Sequence, residues 1–213
     1  MSKLRKTSGE LALKSSLISL GRRNALIAQA IKVAGPLPDR TLPKGFATLA
    51  KIVVEQQLSL AAAEAIWRRL KQDLGKITPA SVLTRDVAHL KSLGLGARKA
   101  EYVQGMARAV LDKSLKLRGL DEFDDAEALA HLTAIRGIGP WTAEVYLLFA
   151  EGRHDIFPAG DVALQAAAHT AFGLAARPDA DELRSLAEDW RPHRGIAARV
   201  LWRYYAVMKE DRS

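Results

Sequence analysis

Two groups of residues in this chain have types and spacings that could do chemistry. The first is Gly137-Ile138-Gly139 followed by Pro140, inside LTAIRGIGPWTAEVYLLFAEGRHDIFPAGDVAL (132–164). A helix ends near Ile135, and the two glycines permit a tight turn with φ > 0 or a close approach by another backbone. Pro140 suits the first position of the next helix. A helix start leaves amides without intrahelical partners, and such amides make an anion site, with phosphate the usual anion. A contact through backbone amides holds phosphate without reading sequence. The same glycines also fit an ordinary helical hairpin in which they only make the turn. The second group is Asp161, behind Phe157-Pro158 and Gly160. Asp is a favoured N-cap, so it opens a helix over 161–173, and a helix N-terminus favours the ionised form of a carboxylate.

The elements that must position these groups are helices. Residues 14–34 read as one long helix closed by Gly35 and the breakers Pro36 and Pro38. A helix over 46–57 carries Phe46, Leu49, Ile52 and Val53 at helical spacing. Ser59 caps a third helix, with Ala62, Ala63, Ile66, Trp67 and Leu70 on it and Gly75 at its end. Pro79 fits a first helical turn, and SLGLGARKAEYV (92–103) gives a glycine turn and then a helix to about Leu115. DEFDDAEALAHLTAI (121–135) starts a helix with carboxylates in its first turn, where they suit the dipole. Another helix runs from Pro140 to near Gly152, HDIFPAG (154–160) is irregular, and helices over 179–190 and 194–209 follow the one at Asp161. Period-2 alternation is hard to find. The fold class is all-α, with about ten helices and short connections.

Composition narrows the function further. The 213 residues are 48% hydrophobic and 26% charged, values of a globular chain, and no apolar run reaches a membrane span. There is no cysteine, which excludes a disulfide framework, a thiolate zinc site, a cysteine-ligated iron–sulfur cluster and a cysteine nucleophile. The five histidines, His89, His131, His154, His169 and His193, show no ligand spacing and read as structural. The net charge is +8, with 9 Lys and Arg against 2 Asp and Glu in residues 1–45 and 9 against 4 in 46–100. A polyanion is the obvious partner for such a surface, and a well-solvated basic protein is the alternative.

LTAIRGIGPWTAE has the form apolar-x-x-apolar-x-Gly-apolar-Gly-x-x-Thr-Ala, and Asp161 follows Gly139 by 22 residues. This resembles the helix-hairpin-helix "GPD" superfamily of DNA glycosylases. FATLAKIVVEQQLSLAAAEAI (46–66) resembles the family's first core helix pair, GLGARKAEYV (94–103) its Gly-x-x-x-x-Lys-Ala helix start, and WRPHRGIAARVLWRYY (190–205) its last helix. Within the superfamily the chain is similar to the 3-methyladenine DNA glycosylase II type in a compact form, with no N-terminal β domain ahead of Phe46. The resemblance implies two helical subdomains around a DNA-binding cleft. One is central and spans 46–155, with the hairpin at 132–146. The other combines 1–45 with 156–213, and Asp161 and the hairpin lie at the junction.

Residue by residue, the resemblance implies the following. Asp161 is the catalytic carboxylate. Cleaving an N-glycosidic bond builds positive charge on the sugar, which a fixed carboxylate near C1′ stabilises while it orients or deprotonates water. Relatives with lyase activity carry a Lys three residues after the hairpin Ile, acting as a Schiff-base nucleophile. Here that residue is Trp141, so the enzyme is monofunctional and leaves an abasic site. The damaged base is flipped out of the duplex. Trp141 and Trp202 line its pocket, with Tyr146 a further member, because an aromatic face attracts the cationic 3-methyladenine and 7-methylguanine. Plain core packing is the other reading of all three. Some relatives hold aromatics where this chain has Val145 and Val162. Gln57 or Leu58 wedges into the gap left by the base, unless residues 56–59 are only a helix end with Ser59 as the next cap. Gly137, Ile138, Gly139 and Thr142 meet DNA phosphate. The carbonyls of Thr133, Ile135 and Gly137 hold a Na+ or K+ ion beside it, and no other cofactor is required.

The implied function is hydrolytic removal of alkylated purines from duplex DNA in base excision repair. The same fold acting on uracil, hypoxanthine, a mismatched or an oxidised base is one alternative, and a non-catalytic DNA-binding module is another. The expected partner is damaged duplex DNA, bound by a monomer in the cytoplasm or nucleoid with no membrane involved. The basic N-terminus over residues 1–12 reads as a DNA-tracking arm or a frayed end.

Overall fold

The computed structural model describes residues 2–210, with side chains from residue 11 onward. The N-terminal arm reading concerns residues 1–12, whose side chains lie mostly outside the described residues. In chain order the helices are α1 (Ser2–Arg23), α2 (Ala25–Ala34), α3 (Phe46–Glu55), α4 (Leu60–Leu74), α5 (Pro79–Leu83), α6 (Val87–Ser92) and α7 (Ala97–Leu111), followed by α8 (Asp125–Thr133), α9 (Pro140–Phe149), α10 (Val162–Phe172), α11 (Ala180–Ala187) and α12 (Arg194–Glu210). Single 3-10 turns stand at Leu120–Glu122 and Glu188–Trp190. No strand occurs among the described residues, so the chain is all-α.

Local chemistry sets the boundaries. Ser59 Oγ accepts the Ala62 amide at the start of α4, and Gly75 closes that helix with φ +66. Asp124 and Glu127 form a reciprocal capping box at the start of α8. The helix therefore begins at Asp125 rather than at Asp121, and the earlier acidic residues make the 3-10 turn. The expected single helix over 14–34 is divided at Asn24. Its backbone is extended (φ −144°, ψ 117°), and its side-chain oxygen accepts the amides of Leu26 and Ile27 at 2.9 and 3.1 Å. An Asn offered two amides at once favours the cap over the helix interior. α3 ends at Glu55, two residues short of expectation, because Gln56 is extended and Gln57 sits at φ +54.

The chain forms two compact units. In Thr41–Gly152, α3 packs against α4, α7 and α9, α7 against α5 and α6, and α8 against α9. Leu49, Leu90, Met106, Leu132 and Leu147 are fully buried there. The second unit joins the segment up to Arg40 to the segment from Arg153. In it α12 packs against α2 and α10, around Ile27, Leu164, Leu183, Ile196, Val200 and Leu201. Each of those side chains contributes about 1.5–3 kcal/mol by leaving water.

Candidate active site

Asp161 stands at the N-cap of α10, half-buried. Its Oδ1 accepts the amides of Ala163 and Leu164 at 2.8 and 3.0 Å, and the indole Nε1–H of Trp202 on α12 at 3.1 Å. Three donors on one oxygen fix the rotation of the carboxylate. The approach to it is equally fixed. Asp155 takes Arg194 through both carboxylate oxygens at 3.1 Å and Arg191 at 2.8 Å, and Gly195 donates its amide to the His154 carbonyl at 2.7 Å. Phe157 and Ala159 are buried beyond it, and the Asp161 amide donates to the Pro158 carbonyl at 2.9 Å. The irregular stretch before Asp161 is therefore tied down at both ends. Val162, the next residue, is an apolar side chain 64% exposed beside the carboxylate.

Trp202 is half-buried and packs against the core of its unit. Its N–H is spent on Asp161, a role that sequence could not assign because the two residues lie 41 positions apart. Trp202→Phe keeps an aromatic face and removes only that donor. Since a hydrogen bond to a charged group is worth about 1.5–3 kcal/mol, single-turnover excision should fall by at least about tenfold. Trp202→Ala should lose more, and charged bases first. A Trp202→Phe enzyme as fast as wild type would deny the indole N–H any part in catalysis.

The hairpin between α8 and α9 separates its two glycines. Gly137 has φ +98, and a Cβ there would overlap Cβ and Cγ of Tyr102. Gly139 is exposed and extended (φ −80°, ψ 170°), with nothing near its missing Cβ. It starts α9 without a side-chain cap, so its amide and those of the first turn have no acceptor within the helix. Ile138 anchors the turn: its side chain is 3% exposed, and its amide donates to the Ile135 carbonyl at 3.0 Å. Thr142 buries its side chain, whose hydroxyl accepts Gln56 Nε2 at 2.5 Å, and its amide is one of those that the first turn leaves without an acceptor within the helix. Tyr146 is a correction to the pocket reading. It is fully buried in the core, its hydroxyl accepts the Gly45 amide at 2.8 Å, and burial pushes its phenol up to about 12. Trp141, in the first turn of α9, is half-buried. The carbonyls of Thr133, Ile135 and Gly137 follow one another round this turn, that of Ile135 also accepting the Ile138 amide.

Gln57 and Leu58 are exposed in the turn between α3 and α4, Gln57 in the left-handed region. Lys99, on α7, holds this turn from inside by donating to the carbonyls of Val54 at 2.7 Å and Gln56 at 2.5 Å. Burial holds its amine below the ordinary lysine range. The sequence places Lys99 in the Gly-x-x-x-x-Lys-Ala helix start but gives no sign of this role, since a carbonyl clamp leaves no spacing of its own. Leu60, at the start of α4, is 82% exposed. A cavity of about 630 Å³ opens beside the turn, lined by Gln57, Leu58, Arg98, Lys99 and Tyr102 among others. A Gln57→Ala/Leu58→Ala enzyme should bind lesion DNA about tenfold more weakly and give less fluorescence from a flipped 2-aminopurine. Wild-type values in both would reject the wedge.

His89 bonds Asp73 at 3.0 Å, and His131 accepts the Lys116 amide at 2.9 Å. Among the described residues no three His, Asp or Glu side chains are placed to hold a metal ion. No described helix is long and apolar enough to cross a membrane.

An all-α chain with a glycine hairpin opening one helix and a capping Asp opening the next defines a class, and this chain belongs to it: residues 50–193 match the HhH-GPD superfamily of base excision DNA repair proteins. Among individual proteins it is similar to Bacillus subtilis YfjP, whose name assigns it provisionally to the DNA-3-methyladenine glycosylases. The two are 32% identical over 72% of this chain and 56% of YfjP, so the match spans little more than half of that relative's length. It is 31% identical to the Schizosaccharomyces pombe alkylbase DNA glycosidase-like protein mag2, over 71% of this chain and 74% of that one. Its fold matches the Bacillus halodurans DNA-3-methyladenine glycosidase with a TM-score of 0.80 at 31% identity, covering 92% and 91% of the two chains. It matches the S. pombe 3-methyladenine DNA glycosylase, solved with abasic DNA, at 0.79 and 27%, covering 88% and 95%.

Proposed function

We propose that this protein is a monofunctional DNA N-glycosylase that flips and hydrolytically excises alkylated purines from duplex DNA. The observation that carries the reading is the Asp161 carboxylate, locked at a helix N-terminus by two amides and the Trp202 indole. The names of the similar proteins support the same substrate class. The Gly139 end of the hairpin grips backbone phosphate through amides, and a monovalent cation fits the oxygen donors of Thr133, Ile135 and Gly137. Gln57 and Leu58 fill the stack. Trp141 and Trp202 present aromatic faces to a cationic base. The C1′–N bond then breaks with its electron pair leaving on the base. A 3-methyladenine or 7-methylguanine departs as a neutral molecule, so no general acid is needed. Asp161 stabilises the positive sugar and accepts the proton of the water that attacks C1′. With Trp141 where lyase relatives hold their amine, the product is an abasic site.

A panel of duplexes, each with one lesion, tests the substrate class. Cationic 3-methyladenine and 7-methylguanine should be released well ahead of uracil, hypoxanthine and 8-oxoguanine. Faster release of a neutral base would move the assignment to another lesion.

A further inference from the structure

The unit that holds Asp161 also brings three arginines round one niche. Arg199 and Arg203 stand four residues apart on one face of α12, and together with Arg40 and Pro38 they line a single small niche. Arg199 donates to the Pro38 carbonyl at 3.0 Å. Among the described carboxylates Arg203 reaches only Glu210, a largely exposed side chain at 3.5 Å. Burial holds the Arg199 guanidinium below its ordinary range; the Asp39 charge opposes this and Arg40 adds to it.

Three guanidinium groups around one niche, with Asp39 acting on Arg199 and Glu210 on Arg203, leave an excess of positive charge that a further anion relieves. Their planar forks match the oxygens of a phosphate group, each able to take two at once. We propose that Arg40, Arg199 and Arg203 form a phosphate-binding site that takes a phosphodiester of the DNA backbone. This rests on the reading of the protein as a DNA glycosylase and adds a phosphate grip that the hairpin does not supply. Trp202, next to Arg203 on α12, holds Asp161, so a phosphate gripped here sets the register of the strand against the carboxylate. Sequence alone hides the site, because Arg40 lies 159 residues from Arg199.

The test is the salt dependence of binding to undamaged duplex, wild type beside Arg40→Gln/Arg203→Gln, whose side chains are exposed or half-exposed and leave the core alone. Lys32→Gln, which removes an exposed charge from the same unit outside the niche, is the control. The slope of log Kobs against log salt should fall by about 0.9 for each phosphate that the double variant no longer neutralises, and stay unchanged in the control. KM for excision should rise several-fold while kcat holds. A second arm measures whether inorganic phosphate raises the Tm of each protein. An unchanged slope, with the phosphate-dependent rise in Tm abolished in the double variant, would assign the niche to a free phosphate and overturn its role on DNA. No change in either arm would overturn the site altogether. If wild type itself fails to bind duplex, the glycosylase reading falls first, and the phosphate arm alone decides the niche.

Discussion

Asp161→Asn lowers excision of an alkylated base by about 10³-fold, with the fold and the affinity for DNA retained. Asn caps helices as well as Asp does, and its side-chain oxygen can accept the same three hydrogen bonds from Ala163, Leu164 and Trp202. What the substitution removes is the negative charge. The stability cost is the lost attraction to the α10 dipole, about 0.3–1 kcal/mol. On the proposed mechanism the catalytic cost is larger, because there the charge acts on a positive sugar that exists only near the transition state. Removing one preorganised electrostatic stabiliser from such a site costs about 3–4 kcal/mol. Single-turnover rates on a 3-methyladenine duplex and a thermal melt separate the two effects. A variant that melts like wild type and still excises at a comparable rate would take the catalytic role away from Asp161.

Gly137→Ala gives the second large effect, on stability and DNA binding together. An alanine at φ +98 costs about 1–3 kcal/mol in backbone strain, and its Cβ overlaps the Cβ and Cγ of Tyr102. Rotation of the Tyr102 side chain does not relieve this, because its Cβ is fixed to the α7 backbone. The expected loss is about 2–4 kcal/mol, a fall in Tm of about 5–10 °C, and at least about tenfold in DNA affinity as the hairpin shifts. Gly139→Ala is the contrast. With φ −80° and open space around it, it should melt within about 1 °C of wild type. Equal melting of the two variants would show that the two glycines do not differ as their backbones indicate.

Local chemistry made most of the fold legible. Ser59, Asp161, Pro140 and Gly75 carry their boundary signals in their own side chains, and the helices they bound lie where those signals put them. Asn24 escaped notice because Asn is tolerated inside a helix as well as at its start, and the apolar spacing runs through it. The site divided along the same line. Asp161 and the hairpin glycines stand in one contiguous segment whose spacing resembles a known family. Spacing left Tyr146 with both a core and a pocket reading and did not show that Ile138 is buried. It could not reveal Trp202 on Asp161, Lys99 on the wedge turn or the grouping of Arg40 with the two arginines of α12, since each joins residues far apart in the chain.

The most direct test of hydrolytic excision is release of free base from methylated duplex DNA by the wild-type protein, with the product strand resolved before and after alkali. Free 3-methyladenine and 7-methylguanine should appear, with strands that stay intact until alkali cleaves them at abasic sites. Tight binding of the same duplex with no free base would contradict hydrolytic excision, and strands already broken without alkali would contradict a monofunctional enzyme.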